Sequence, residues 1–219
     1  MSLANKIADV RAQIALAQTA PSATLVAVTK TLSLAETEAA VQAGLTHLGE
    51  NRLQVAEPKI KALEAYSITW HFIGPVQRNK AKKIVALFSV IHAISSWETL
   101  EAVNKEAHSQ GKRPDILLEI NISGETSKHG FSPQDIKLSI RRVFDYTFVN
   151  FVGYMTMAPY TTDEHIQHSV FAGLKSLADQ LRDDQGVEYI QLSMGMSNDY
   201  RVALQDGATM VRIGTELFS

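Results

Sequence analysis

From residue 24 onward the sequence keeps a regular beat: a short apolar run, an amphipathic stretch of helical period, then another apolar run. The periodicity predicts strands at 24–29 (TLVAVT), 46–49, 67–74, 88–94, 114–122, 148–156, 187–193 and 209–214. Between them it predicts helices at 34–44, 52–66, 76–87, 97–111, 132–143, 163–182 and 198–207. Leu3, Ile7, Val10, Ile14 and Leu16 place a further amphipathic helix over 3–18, ended by Pro21. Strict alternation of strand and helix implies a parallel sheet. Eight such units, with the N-terminal helix supplying the eighth helix, imply an α/β fold of the TIM (β/α)8 barrel type. An open doubly wound sheet is the alternative, but it usually has fewer strands. Its dinucleotide fingerprint is also missing, because KTLSLAE after the first strand contains no glycine. No linker, repeat or low-complexity segment interrupts the beat, so one domain over 1–219 is expected.

Composition removes several classes of function. Lys plus Arg is 21 and Asp plus Glu is 23, giving a net charge of −2 with no excess that would draw nucleic acid or an anionic membrane. Cysteine is absent, which excludes disulfides, thiol nucleophiles and cysteine-ligated metals. The N-terminal MSLANKIADVRAQIALAQ carries charges through its apolar pattern, unlike a signal peptide. The longest charge-free apolar stretch, Ile84 to Trp97, is too short to span a bilayer. The expectation is a cytoplasmic protein.

In such barrels the active site lies where strands end and helices begin. The first strand ends in Lys30, the second in Gly49-Glu50-Asn51, the third in His71 through Gly74, and the sixth in Met155-Thr156-Met157. The seventh delivers Ser193-Met194-Gly195-Met196-Ser197 and the eighth Arg212-Ile213-Gly214-Thr215. Loops after strands seven and eight are the recurrent phosphate position of this fold. LSMGMSND and IGT offer hydroxyls, glycines for close backbone approach and a helix start. Each loop alone reads more readily as a tight turn with Ser197 or Asn198 capping a helix; together, on adjacent strands, they favour phosphate. Arg212 in a buried strand needs a partner, either an internal carboxylate such as Glu119 or a ligand atom. Lys30 either extends outward to water or, sharing a face with Val26 and Val28, points into the pocket. There, desolvation and a nearby arginine would favour a neutral, nucleophilic amine. A lysine with a phosphate site suggests a sugar-phosphate aldolase or pyridoxal 5′-phosphate (PLP) held as a Schiff base, and spacing does not choose.

The choice comes from six blocks in order: AVTK, HLGENRLQ, WHFIGPVQRNK, INISGETSKHGF, VGYMTMAP and LSMGMSNDYRVALQDGATMVRIGTELF. Together, over about residues 25 to 218, they resemble the pyridoxal-phosphate homeostasis protein family, also called the alanine-racemase-like N-terminal-domain family. The resemblance implies an alanine-racemase-like barrel with PLP bound to Lys30. It further implies that Ser193, Gly214 and Thr215 hold the phosphate, with Met194 and Ser197 close by. Arg212 would face the pyridine nitrogen, and Asn51, His71 and Met157 would line the pocket. The sequence departs at Arg52 and Val55, where an aromatic and a glutamate are frequent, at Tyr154 in place of a leucine, and at its end, Ser219.

The other constellations read as ordinary surface. His165 and His168 lie one helical turn apart beside Asp163 and Glu164, a spacing a metal could use but one also expected of a solvated helix start. GETSKHG lacks the GxxxxGK[ST] of a phosphate loop. Lys82, Lys83, Arg141 and Arg142 fit solvated helix faces.

PLP acts as an electron sink when its ring nitrogen is protonated. An arginine facing that nitrogen can only donate, so the nitrogen must accept and stay unprotonated. Racemisation would still need a proton donor on each face of the substrate carbon. Lys30 serves one face; in the resembling racemases a tyrosine from an extra C-terminal domain serves the other, and here only Tyr154 or Tyr160 could replace it. The sequence therefore reads as a non-catalytic carrier or regulator of PLP. Its partners would be PLP and PLP-dependent apo-enzymes, and its state monomeric. A small amino-acid racemase is the alternative.

Overall fold

A computed structural model describes residues 2–125, 129–185 and 190–219. Eight parallel strands run in chain order round a closed barrel, with β1 paired to β8. They are β1 (Thr24–Val28), β2 (His47–Glu50), β3 (Thr69–Phe72), β4 (Val90–Ile94), β5 (Asp115–Glu119), β6 (Asn150–Met155), β7 (Gln191–Met196) and β8 (Met210–Ile213). The helices are α1 (Leu3–Ala17), α2 (Leu34–Gln42), α3 (Leu53–Ala62), α4 (Ala81–Leu87), α5 (Trp97–Ser109), α6 (Pro133–Ser139), α7 (Glu164–Gln185), α8 (Tyr200–Gln205) and α9 (Thr215–Phe218). The alternation read from the sequence is the fold observed. α9 lies beyond the last expected strand, and α1 packs on α8 and α9, filling the helix position that follows β8. The start of the seventh expected strand, residues 187–189, and the centre of GETSKHG, residues 126–128, lie outside the described residues.

Local chemistry sets the helix starts. Ser33 and Glu36 form a reciprocal capping box on α2. Ser132 accepts from the Asp135 amide, with Pro133 in the first turn of α6, as expected. Side chains then divide into two apolar populations. Ala27, Leu48, Trp70, Ile91, Leu118, Tyr154, Leu192, Met194 and Val211 pack outward against the helices in one large core. Val90, Ala93, Leu117 and Met155 form a smaller core inside the barrel. Among the described residues no helix is long and apolar enough to cross a membrane.

The strand ends are drawn together by a close backbone approach. A Cβ added to Gly74, just past β3, would lie 2.4 Å from the carbonyl oxygen of Asn51, just past β2. Gly74→Ala is therefore expected to force these two backbones apart and cost roughly 1–3 kcal/mol, as an overpacked site does. Urea denaturation of the variant against the parent protein checks this.

Candidate functional site

Lys30 stands two residues beyond the end of β1, exposed, and makes no hydrogen bond or ion pair among the described residues. Its carrier turn is firmly tied: the Thr29 amide donates to the Gly49 carbonyl at 3.0 Å, and the Leu32 amide to the Thr29 carbonyl at 3.0 Å. The exposed lysine is thus carried on a tied backbone just past the end of β1.

On the neighbouring strand β8, Arg212 pairs with Val26 and is 5% exposed. Its hydrogen bonds go elsewhere than to Glu119. Its guanidinium donates to the Ser193 carbonyl (2.8 Å), to the Ser193 hydroxyl, and to the Thr156 carbonyl (3.1 Å). All three acceptors are neutral. Burial pulls its pKa down to about 10, and the carboxylates of Asp199 and Glu119 pull it back through space. The group stays charged at neutral pH, a buried cation whose direct bonds bring it no counter-charge. Burial in turn raises the carboxyls of Glu119 and Asp199.

The seventh strand runs longer than its sequence suggests, to Met196. Ser193, expected as the last residue of this strand, lies inside it with no exposed surface, paired to Met210 at the start of β8. Met194, expected beside the phosphate, turns its side chain outward into the helix-facing core, so only its backbone belongs to the barrel. The β7–β8 register then shifts between Ser193 and Met196, where Gly195 takes φ +91° and a Cβ would meet Ala203 at 2.7 Å. The loop proper begins at Ser197. Its hydroxyl accepts from the Gly214 amide at 3.2 Å, so it joins the loops after β7 and β8 instead of capping α8. Gly214 packs against Val28 of β1, where a Cβ would come within 3.3 Å of Val28 Cβ. Thr215 follows, exposed, at the first position of α9. Ser197, Gly214 and Thr215 are thus brought together at the tip of β1, while Ser193 lies below them with Arg212.

Asn51 is half-buried beside Gly74, and Met157 is 38% exposed at the end of β6. His71, expected to line the pocket, is 1% exposed and sits in a file the sequence reading missed. His47 Nδ1 lies 2.9 Å from His71 Nε2, His71 Nδ1 lies 2.8 Å from His92 Nε2, and His92 Nδ1 lies 2.8 Å from the Ser193 hydroxyl. The chain of contacts runs from half-buried His47, at the start of β2, to Arg212. One signal could have revealed it: three successive strands each carry a histidine, in HLGE, TWHF and VIHAI.

Burial lowers the pKa of all three. His47 is lowered by desolvation; His71 falls to about 3 by desolvation and then the charge of His47; His92 falls well below its usual value by desolvation, then His71 and Arg212. All three are neutral at pH 7. One tautomer set serves the whole file: the Ser193 oxygen accepts from Arg212 and gives its proton to His92 Nδ1. His92 Nε2–H then donates to His71, and His71 Nε2–H to His47.

The remaining sequence candidates separate. His168 turns to Asp206 at 2.8 Å, and the His165 amide bonds Asp163. Among the described residues no group of three potential metal ligands gathers. Tyr154 is wholly buried with its ring against Phe151 at 5.4 Å, in the helix-facing core, while Tyr160 is 93% exposed.

A parallel eight-stranded barrel with a lysine at the tip of β1 and an arginine inside β8 defines the class, and comparison with known proteins gives the family. The profile described as alanine racemase, N-terminal domain, matches residues 7–219. The chain belongs to that family and, within it, groups with the pyridoxal phosphate homeostasis proteins. The Synechocystis sp. protein of that name is 39% identical over 199 residues, covering 90% of this chain and 91% of the relative. The solved structure of PipY from Synechococcus elongatus with PLP bound is 32% identical, with a TM-score of 0.90 over 100% of both chains. An alanine racemase of Clostridium difficile is 16% identical with a TM-score of 0.78, and this chain covers 56% of it; that likeness shows the fold alone.

Two measurements check the histidine file. Long-range 1H–15N NMR is expected to find all three rings neutral and protonated on Nε2 at pH 7. Unfolded histidines take a proton near pH 6.5, whereas native His71 does so near 3. Between those values the unfolded state binds more protons, so stability is full above pH 6.5 and falls as pH drops toward 3. The expected loss approaches about 1.4 kcal/mol per pH unit from His71, and His71→Gln should flatten the pH dependence of urea unfolding by that share.

Proposed function

We propose that this chain binds PLP in the barrel mouth, as a Schiff base on Lys30, and acts in the cell as a carrier or regulator of the cofactor. The observation that carries this reading is the pairing of an exposed, unengaged lysine on β1 with a buried, charged Arg212 that has only neutral hydrogen-bond partners. The residues fit the group. Arg212 supplies a fixed donor for an acceptor atom of a ring. Ser197, having accepted from the Gly214 amide, keeps its own proton for an anion, and exposed Thr215 follows Gly214 with a second hydroxyl. Ser193 accepts from Arg212 and is joined through His92 to His71, while Asn51 and Met157 border the mouth. The names of the relatives and PipY solved with PLP bound favour the same ligand.

When bound, PLP supplies an aldehyde for a lysine and an electron sink for carbanions. Arg212 favours the first use over the second, because a guanidinium can only donate and leaves the ring nitrogen unprotonated. Tyr154 is turned into the helix-facing core and offers no proton donor at the mouth for the second face of a substrate carbon. We therefore read the chain as a holder that does not turn over amino acids. It would act as a single barrel unit, monomeric and cytoplasmic, and pass PLP to apo-enzymes that depend on it.

Reduction of the PLP-treated protein with borohydride, followed by peptide mass spectrometry, is expected to place the cofactor on Lys30, and Lys30→Ala should carry none there. Cofactor found on scattered lysines would overturn the proposal. Inversion of an amino acid by the parent protein, lost in Lys30→Ala, would establish the racemase alternative.

A further inference from the structure

Behind Lys30, on the helix side of the barrel wall, lies a charged pair that the cofactor site does not use. Glu50, the last residue of β2, and Lys59 of α3 meet at 2.8 Å with side chains 0% and 5% exposed. Lys59 Nζ makes a second bond, at 2.7 Å, to the carbonyl oxygen of Thr29. The Thr29 hydroxyl closes the triangle on Glu50 Oε1 at 2.7 Å. The Thr29 carbonyl belongs to the peptide unit that leads into Lys30. It also accepts from the Leu32 amide, so it closes the turn in which Lys30 is the second residue. The Glu50 backbone is itself pinned, its carbonyl accepting from Ile73 at 2.9 Å.

Stability is a weak reason for such a pair, because apolar residues of similar volume often do as well once desolvation is counted. The carboxylate is not even fully satisfied: Glu50 Oε2 is buried with no hydrogen-bond partner among the described residues. An arrangement selected for bonding alone would engage both oxygens. What the ammonium does that an apolar side chain cannot is hold a carbonyl at a fixed place between α3 and the turn.

We propose that Glu50 and Lys59 are positioning residues for Lys30: they fix the Thr29–Leu32 turn so that the lysine amine meets an aldehyde bound in the mouth. This rests on the reading of Lys30 given above. The step served is a condensation. The nitrogen of the neutral Lys30 amine bonds to the aldehyde carbon, and the aldehyde oxygen leaves as water carrying the two hydrogens of that nitrogen. No electron transfer is involved. Lys59 and Glu50 touch neither reactant and act through the turn alone.

The test separates noncovalent binding from bond formation. Single variants leave one buried charge without its partner, so the informative protein is the double variant Glu50→Gln/Lys59→Met, which keeps volume and removes both charges. Two probes are used: PLP, and pyridoxine 5′-phosphate, whose alcohol cannot form an imine. The double variant is expected to bind pyridoxine 5′-phosphate as the parent does. Its rate of PLP attachment at Lys30, followed by absorbance and fixed with borohydride for mass spectrometry, should fall about tenfold or more, as expected when a reacting group is misplaced. A folded double variant that attaches PLP at the parental rate overturns the proposal. A double variant that loses both kinds of binding together, or that fails to fold, assigns the pair to stability and also overturns it. A parent protein that attaches no PLP at Lys30 instead overturns the reading of the site, which distinguishes the two failures.

Discussion

Everything at the barrel mouth depends on the first strand pairing with the last. The β1–β8 ladder sets Val26 beside Arg212 and Ala27 beside Ile213. It joins residues nearly the whole chain apart, so its entropic cost is recovered only when the other six strands have paired in order. Once made, it brings the tip carrying Lys30 over the glycine at the end of β8, where any larger residue would press on Val28. A lysine near the N-terminus and two loops near the C-terminus become neighbours by ring closure alone.

The barrel handles the buried cations Lys59 and Arg212 in opposite ways. Lys59 lies against a carboxylate and gives its remaining reach to a backbone carbonyl. Arg212 lies among carbonyls and a hydroxyl, with carboxylates acting only from a distance. The first arrangement is electrically closed and suits a structural clamp. The second keeps unspent positive potential at the centre of the barrel, strengthened by the low dielectric of its surroundings, and suits a site that waits for an acceptor. The histidine file does not neutralise that potential. Its three rings stay uncharged because burial and the nearby guanidinium disfavour protonation, and they extend the hydrogen bonding of Ser193 across the barrel interior.

The architecture was legible in the sequence because it is written in periodicity, which eight strands and their helices repeat. The tip lysine, Arg212 and the Ser197–Gly214–Thr215 corner were legible because strand ends can be found from the same beat. Depth was not legible. The seventh strand was expected to end at Ser193, yet it runs on through a register shift near Gly195 to Met196, with Ser193 facing Arg212 and Met194 in the helix-facing core. Sequence periodicity cannot show a bulge, since alternation simply restarts beyond it. His47 and His92 were missed for a different reason: a lone polar residue in an apolar strand carries no sign of what faces it across a barrel. Glu50 was read as a strand end, but its pairing with Lys59 on the helix side was hidden, because a lysine on an amphipathic helix looks solvated until the helix is docked.

The balance of rigidity and exposure bears on how a bound aldehyde would behave here. The turn beneath Lys30 is tied by the β1–β2 ladder, by its own closing bond and by Lys59, so little freedom remains in the backbone. Above it, Lys30 and Thr215 are exposed and Met157 is partly so. Catalytic sites for carbanion chemistry exclude water, because water quenches the intermediate and weakens the electrostatics. A link formed by loss of water is undone by water, and at an exposed lysine both directions proceed without a gate having to open. Rigid support makes the bond easy to form, and open access keeps it reversible. That combination serves retention and release of a cofactor better than turnover of a substrate.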